Sequence, residues 1–222
     1  NATYTSAVLQ PTAALTATQS QTNATCGGTC NASAQVTPSG GTPLYSYTWS
    51  PSGGNSALAS ALCGSSTPVP QNYTCTIADA NNCVIVKTFS ISQPPPLIVA
   101  PTFTNATCNG TCNGIANSNA SGGNGGITYT WTAPTQTTQN ISGLCAGNYT
   151  LTVSDASACV AGPTVVTITQ PPAITLTIAQ TSVTCFGQCI GSATATASGG
   201  NGGFSYTWSP TTPTQTAATA TA

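Results

Sequence analysis

The sequence predicts an all-β protein made of tandem antiparallel β-sandwich repeats of about 77–83 residues, each stapled by disulfides. Three observations predict this fold class. Apolar side chains alternate with the two-residue period of a β-strand, and no segment shows helical periodicity. One pattern of cysteine, glycine and tryptophan recurs at offsets of 82 and 77 residues. Eleven cysteines occur in 222 residues without a histidine, which favours disulfides over metal binding.

Each copy of the repeat begins with C-x3-C, continues to S-G-G and reaches an aromatic segment that ends in tryptophan. The tryptophans all lie 23 residues after the first cysteine of their copy; they are Trp49, Trp131 and Trp208. The copies close on Gln-Pro, which suits a stiff junction because proline keeps the preceding residue extended. The junctions predict four segments: the last strand of a preceding repeat at 1–10, complete repeats at 11–93 and 94–170, and an incomplete repeat at 171–222. We therefore expect a slice of a longer tandem array.

Two segments of each complete copy predict the main strands of the sandwich. In the aromatic segment of the first copy, Tyr45, Tyr47 and Trp49 share one face and hydroxyl residues share the other. The later segment Y-T-x-T-(I/V)-x-D-A-x-x-C predicts a central strand that runs into a tight turn. Its aspartate, Asp79 or Asp155, is expected to accept backbone N–H bonds in that turn.

The charge content excludes several classes of function. The chain has two aspartates, one lysine and no Glu, Arg or His, whereas charged residues make up roughly a quarter of an average domain. Asp79 and Asp155 occupy equivalent positions in different copies, so they cannot form a paired-carboxylate site, and we predict that the protein is not an enzyme. With Lys87 as the single cation, we expect no nucleic-acid partner. The longest aliphatic run, 97–100, is too short for membrane insertion.

The cysteines indicate an extracellular protein, because disulfides form outside the reducing cytosol. The disulfide candidates are Cys26, Cys30, Cys63 and Cys83 in the first copy, Cys108, Cys112, Cys145 and Cys159 in the second, and Cys185 and Cys189 in the third. Four cysteines allow three connectivities, and a bridge to a neighbouring repeat is also open. Cys75 stands where the second copy has Leu151, so we expect it to be a buried free thiol.

No cofactor is expected, and covalent glycans are the attached groups that the sequence suggests. Calcium is the alternative, but one carboxylate per repeat is poor for a site that needs six to eight oxygen ligands. Nine N-x-S/T sequons are glycosylation candidates: Asn1, Asn23, Asn31, Asn72, Asn105, Asn109, Asn119, Asn140 and Asn148. Asn72 and Asn148 occupy equivalent positions, as do Asn23 and Asn105. Glycans there would solvate a surface that has almost no charge.

The motifs C-x-G-x-C-x-G-x-A, S-G-G, Y-x-W, G-L-C-A-G-N-Y-T-L-T-V-S-D-A-x-x-C and V-T-I-T-Q-P resemble the SprB-type repeat of giant bacterial cell-surface adhesins. Residues 108–171 carry them most fully. The resemblance implies an Ig/PKD-like sandwich in an extracellular, tandemly repeated stalk or filament at the cell surface. The commoner form of that repeat keeps only the first and last of the four cysteines. It therefore implies pairing of first with fourth (Cys26–Cys83, Cys108–Cys159) and of second with third (Cys30–Cys63, Cys112–Cys145).

The leading functional hypothesis is a structural repeat segment of an extracellular filament or adhesin stalk, with neighbouring copies of the same protein as partners. The alternative is a binding module on the surface. Such a module would bind a surface polysaccharide through aromatics such as Tyr45 and Trp49, or ice through the threonine row Thr128, Thr130 and Thr132. Aromatics on an inward face usually belong to the core, so an exposed Trp131 would favour carbohydrate binding.

Overall fold

The structure, a computed structural model, describes residues 11, 13–65, 69–133, 135–209 and 214–221. These residues are all-β, as predicted, in small sheets consistent with tandem β-sandwich repeats. The described part of the chain contains no helix that could span a membrane. Contacts divide the chain into two compact units. One comprises Asn1–Ala100, Ala120–Tyr129 and Thr152–Gly162, and the other Pro101–Asn119, Thr130–Leu151 and Pro163–Ala222. The repeat boundaries remain a prediction.

The first copy contains two three-stranded sheets, β1-β2-β4 and β3-β5-β6. The strands are β1 (Thr16–Thr22), β2 (Ala32–Ser39), β3 (Ser46–Ser50), β4 (Leu58–Leu62), β5 (Gln71–Ala78) and β6 (Val84–Ile91). The core lies between the sheets and is formed by alternate residues of the strands. Tyr73, Cys75 and Ile77 of β5 are buried on one face, and the ring of Trp49 lies 5.2 Å from that of Phe89.

Strand direction fixes which loops meet at each end of the first copy. β1 runs antiparallel to β2, and β2 runs antiparallel to β4. β5 runs antiparallel to both β3 and β6. Gln19 and Gln21 of β1 donate to the carbonyl oxygens of Thr88 and Ser90 of β6, so β1 and β6 run in the same direction. Consequently β3 and β4 also run in the same direction, and the chain crosses back between them.

The second and third copies repeat parts of this arrangement. The second contains β7 (Thr102–Thr104), β8 (Gly114–Asn117), β9 (Thr128–Thr132), β10 (Asn140–Leu144), β11 (Gly147–Ser154) and β12 (Val160–Ile168). Its sheets have the orders β10-β8-β7 and β12-β11-β9. The third contains β13 (Thr175–Thr181), β14 (Ser192–Ser198) and β15 (Thr219–Thr221) in one sheet, β13-β14-β15.

The S-G-G turn needs glycine because the backbone of the segment that begins the copy passes directly against it. Gly40, Gly122 and Gly199 all have positive φ, at 72°, 82° and 86°. A Cβ on Gly122 would overlap the carbonyl oxygen of Pro96, and equivalent overlaps occur with Ala14 and Ala173 in the other copies. The motif therefore holds the start of each copy against the turn before its aromatic segment.

Candidate functional site

Two disulfides form at equivalent places within the first and second copies. Cys30 bonds to Cys63 and Cys112 bonds to Cys145, each across 33 residues. This is the second-with-third pairing. A tyrosine hydroxyl hydrogen-bonds to the backbone of the third cysteine in each copy. Tyr73 donates to the Cys63 carbonyl oxygen, and Tyr149 donates to that of Cys145, both at 3.0 Å. Each bridge therefore fixes the C-x3-C loop against the end of β4 or β10.

The third disulfide corrects the expected first-with-fourth pairing. Cys26 bonds to Cys159 across 133 residues, with the two Cα atoms 5.6 Å apart, so it links the first copy to the second. Cys26 lies beside Ser92, whose carbonyl oxygen accepts from the backbone N–H of Ala24. Cys83 lies at the other end of β6, about 26 Å away for eight extended residues. Because Cα atoms more than about 7 Å apart cannot be bridged, Cys26–Cys83 cannot form.

The expected Cys108–Cys159 pair is likewise wrong, because Cys159 is already bonded to Cys26. Cys83 and Cys108 are exposed thiols, as are Cys185 and Cys189. Cys75 is a free thiol enclosed in the core of the first copy, where burial raises its pKa above the ordinary value. Within the described ranges, no three His, Cys, Asp or Glu side chains are grouped to hold a metal ion.

The loop that carries Cys26, residues 26–30, packs against the linker into the second copy. The backbone N–H of Gly28 donates to the side-chain oxygen of Gln93 at 3.2 Å. A Cβ on Gly27 would overlap the backbone of Pro96, so only glycine fits this close approach. The Asn23 side chain accepts from the backbone N–H of Ser92 at 3.1 Å. Hydrogen bonds and backbone packing therefore accompany the covalent bond at this junction.

An aspartate holds each fourth cysteine in place. Asp155 accepts backbone N–H bonds from Asn124 at 2.7 Å and from Ser157 and Cys159 at 2.9 Å. Burial raises the pKa of this carboxyl, but the three donors outweigh burial and the net pKa is lowered. These bonds tie the turn around Cys159 to the S-G-G turn, which is the local role that the sequence predicted.

Asp79 makes the same connections in the first copy. Its carboxylate accepts at 2.9 Å from the backbone N–H groups of Thr42, Asn81 and Cys83. The hydrogen bond from Thr42 is the largest cause of its lowered pKa. The backbone of Cys83 is therefore held in the same way as that of Cys159, although Cys83 is a free thiol.

The sequons that the structure describes all lie at exposed asparagines. They are Asn23, Asn31, Asn72, Asn105, Asn109, Asn119, Asn140 and Asn148, whereas Asn1 lies outside the described residues. At the equivalent positions Asn72 and Asn148, the side-chain oxygen accepts from the hydroxyl of Ser90 or Thr167 at 2.8 Å. Glycosylation remains a prediction.

The aromatic residues proposed for carbohydrate binding belong mostly to the interior. Trp49 and Trp131 are buried, and their indole N–H groups donate to the carbonyl oxygens of Ser56 and Thr138. Tyr45 is half-buried and donates to Gly40. The exposure of Trp131 that would favour carbohydrate binding is therefore not observed.

The fold and its junctions define a tandem-repeat β-sandwich protein whose first and second copies are joined by a disulfide. Residues 18–54 and 177–213, about a third of the chain, match the family model of the SprB repeat. The match confirms the suspected resemblance in the first and third copies. The matched segments do not include residues 108–171, which carry the motifs most fully. No curated protein matches the chain. SprB repeats occur in cell-surface proteins, and the three disulfides are compatible with an extracellular location.

Proposed function

We propose that the chain is a structural repeat segment of an extracellular cell-surface filament or adhesin stalk and performs no catalysis. The Cys26–Cys159 bond carries this proposal. A bond within one repeat stabilises only that repeat, whereas this bond transmits tension from the first copy to the second. Such a connection suits a mechanical element exposed to pulling forces.

The surface chemistry also supports a structural role. Exposed hydroxyl groups pair across strands, as between Thr16 and Ser39 at 2.9 Å and between Thr175 and Ser198 at 2.7 Å. The surface therefore satisfies much of its polarity with neutral groups, whose interactions salt does not screen. Glycans at exposed sequons such as Asn72 and Asn148 would add a solvating layer.

Immunogold electron microscopy of intact host cells tests this function with an antibody raised against the purified chain. We expect gold particles along filaments or stalks outside the cell envelope. Permeabilised cells and an antibody against a cytosolic protein provide the controls. Label that appears only after permeabilisation would contradict the proposal.

A further inference from the structure

The first and second copies each place their last strand at the edge of a sheet. β6 is an edge strand of the sheet β3-β5-β6, and β12 is an edge strand of the sheet β12-β11-β9. An edge strand presents backbone N–H and C=O groups that can pair with a strand of another molecule. Proteins protect such edges with charged residues, with proline or with covering side chains. The protection of β6 and of β12 can therefore be compared directly.

Hydrogen bonds establish which residues of the two edge strands correspond. Ser90 and Thr167 correspond, since the hydroxyl of each donates at 2.8 Å to the sequon asparagine that opens the neighbouring strand of its own copy. Two residues earlier, Thr88 of β6 corresponds to Val165 of β12. Both strands and the segments beside them lie within the described residues.

In the first copy, side chains protect the edge of β6. The side-chain amide of Gln19 donates to the carbonyl oxygen of Thr88 at 3.1 Å, and that of Gln21 donates to the carbonyl oxygen of Ser90 at 2.8 Å. The strand also carries Lys87. A lysine on an edge strand opposes pairing, because a partner strand would have to desolvate the ammonium group. The edge of β6 is therefore protected both by hydrogen bonds and by a charge.

In the second copy, the three protecting residues are replaced. Pro101 and Phe103 stand at the places of the two glutamines, and Thr164 stands at the place of the lysine. Proline and phenylalanine have no side-chain donor, so they cannot repeat the bonds to the carbonyl oxygens of Val165 and Thr167. The N–H and C=O groups of one residue point to the same side of an antiparallel strand. Both groups of these two residues are therefore available at the edge.

The end of β12 also has the composition of a strand that pairs readily. All six residues of the segment 164–169, TVVTIT, are β-branched and uncharged. β-branched residues favour strands, and short uncharged segments of this kind without proline are typical of pairing between molecules. Pro163 precedes the segment and lacks an N–H, so the open part of the edge begins after it.

Apolar surface at this edge favours a partner strand of the same kind. Val165 is 58% exposed, and Phe103 is 48% exposed although it stands where the first copy has a glutamine. A strand paired with β12 would remove part of this surface from water. The chain has a formal net charge of −1, so two copies repel each other little.

We propose that two copies of this chain pair laterally through β12, antiparallel and about a two-fold axis, with Val165 of one copy facing Thr167 of the other. The two residues of such a pair exchange both backbone hydrogen bonds, and the two-fold axis repeats the pair. The sheet of one copy thereby continues into the same sheet of the second. This inference rests on the proposed function and names a lateral partner for the filament, a second copy of the chain.

Sedimentation equilibrium of the purified chain tests the pairing. Iodoacetamide first blocks the exposed thiols, so that new disulfides cannot link the copies. We expect a reversible equilibrium between monomer and dimer, because a two-fold contact closes on itself. As the protein concentration rises, hydrogen exchange should slow at the amides of Val165 and Thr167 and stay unchanged at those of Thr88 and Ser90.

Matched variants identify the edge that pairs. Val165→Lys places a charge in the contact and should raise the dissociation constant of the dimer about tenfold or more. Thr88→Lys makes the same addition at the corresponding exposed position of β6 and should leave that constant unchanged. Phe103→Gln restores a side-chain donor beside β12 and should also weaken the dimer.

Three results would overturn the inference: monomers at the highest soluble concentration, equal dissociation constants in the two lysine variants, or slowed exchange in β6 instead of β12. If gold still labels surface filaments while the purified chain stays monomeric, this inference fails and the proposed function stands. If dimers form through β12 but gold appears only after permeabilisation, the proposed function fails and the pairing stands.

Discussion

The nested disulfides predict an unusual response to pulling force. The Cys26–Cys159 bond encloses the other two bridges, because 30–63 and 112–145 both lie between its ends. When the chain is pulled from its termini, tension passes directly from Cys26 to Cys159. The 133 residues between them cannot extend while this bond is intact.

Replacing both cysteines of the outer bond, as Cys26→Ser/Cys159→Ser, should release only part of that length. Each inner bridge still bypasses 33 residues, so removing two such spans from 133 leaves about 67 residues free. At about 3.4 Å per extended residue this adds about 230 Å of contour length. Full reduction should add about 450 Å.

The matched control is Cys112→Ser/Cys145→Ser, which removes one inner bridge and keeps the outer bond. It should add no length, because tension never reaches the enclosed residues. Single-molecule force extension with handle domains at both termini measures all four states. Extension by about 450 Å without reductant, or any gain in the control, would refute the load path through Cys26 and Cys159.

Three further changes test the local structure. Asp155→Asn should reduce stability at neutral pH and make stability fall less steeply in acid. A carboxylate whose folded pKa is lowered stabilises the fold above its ordinary pKa, and this stabilisation is lost as the pH falls below about 4. An unchanged acid transition in thermal scans would contradict the role of Asp155. Trp131→Ala should cost about 4 kcal/mol in urea unfolding, and a loss under about 1 kcal/mol would show that the indole is not core. Gly122→Ala should cost about 2 kcal/mol or more, because φ is positive and Pro96 blocks a Cβ. Gly126→Ala, with nothing within 4 Å, is its control and should stay within about 0.5 kcal/mol.

The strands and the aspartate turns were predictable because their signals are local. The two-residue period places Tyr149, Leu151 and Val153 on one face, and all three are buried. An aspartate after a strand commonly accepts nearby backbone N–H bonds, as Asp155 does from Ser157 and Cys159. Its third donor, Asn124, lies 31 residues away and carries no such local signal.

The sequence left a disulfide between copies open but could not select it, because the choice depends on strand direction. If every strand reversed the chain, the loop before β6 would lie at the same end of the first copy as the loop after β1, and Cys83 would lie near Cys26. β3 and β4 instead run in the same direction, which moves Cys83 to the opposite end. Neither the cysteine spacing nor a resemblance to a two-cysteine repeat indicates that β3 and β4 run in the same direction.

Lys87 has a consequence for resistance to proteolysis. It is the only lysine in a chain without arginine, so it offers trypsin-class proteases a single cleavable bond. That residue lies in the middle of β6, opposite Cys75, and is half-buried. Cleavage there requires the strand to leave its sheet first, so resistance to such enzymes is set by local unfolding of the first copy.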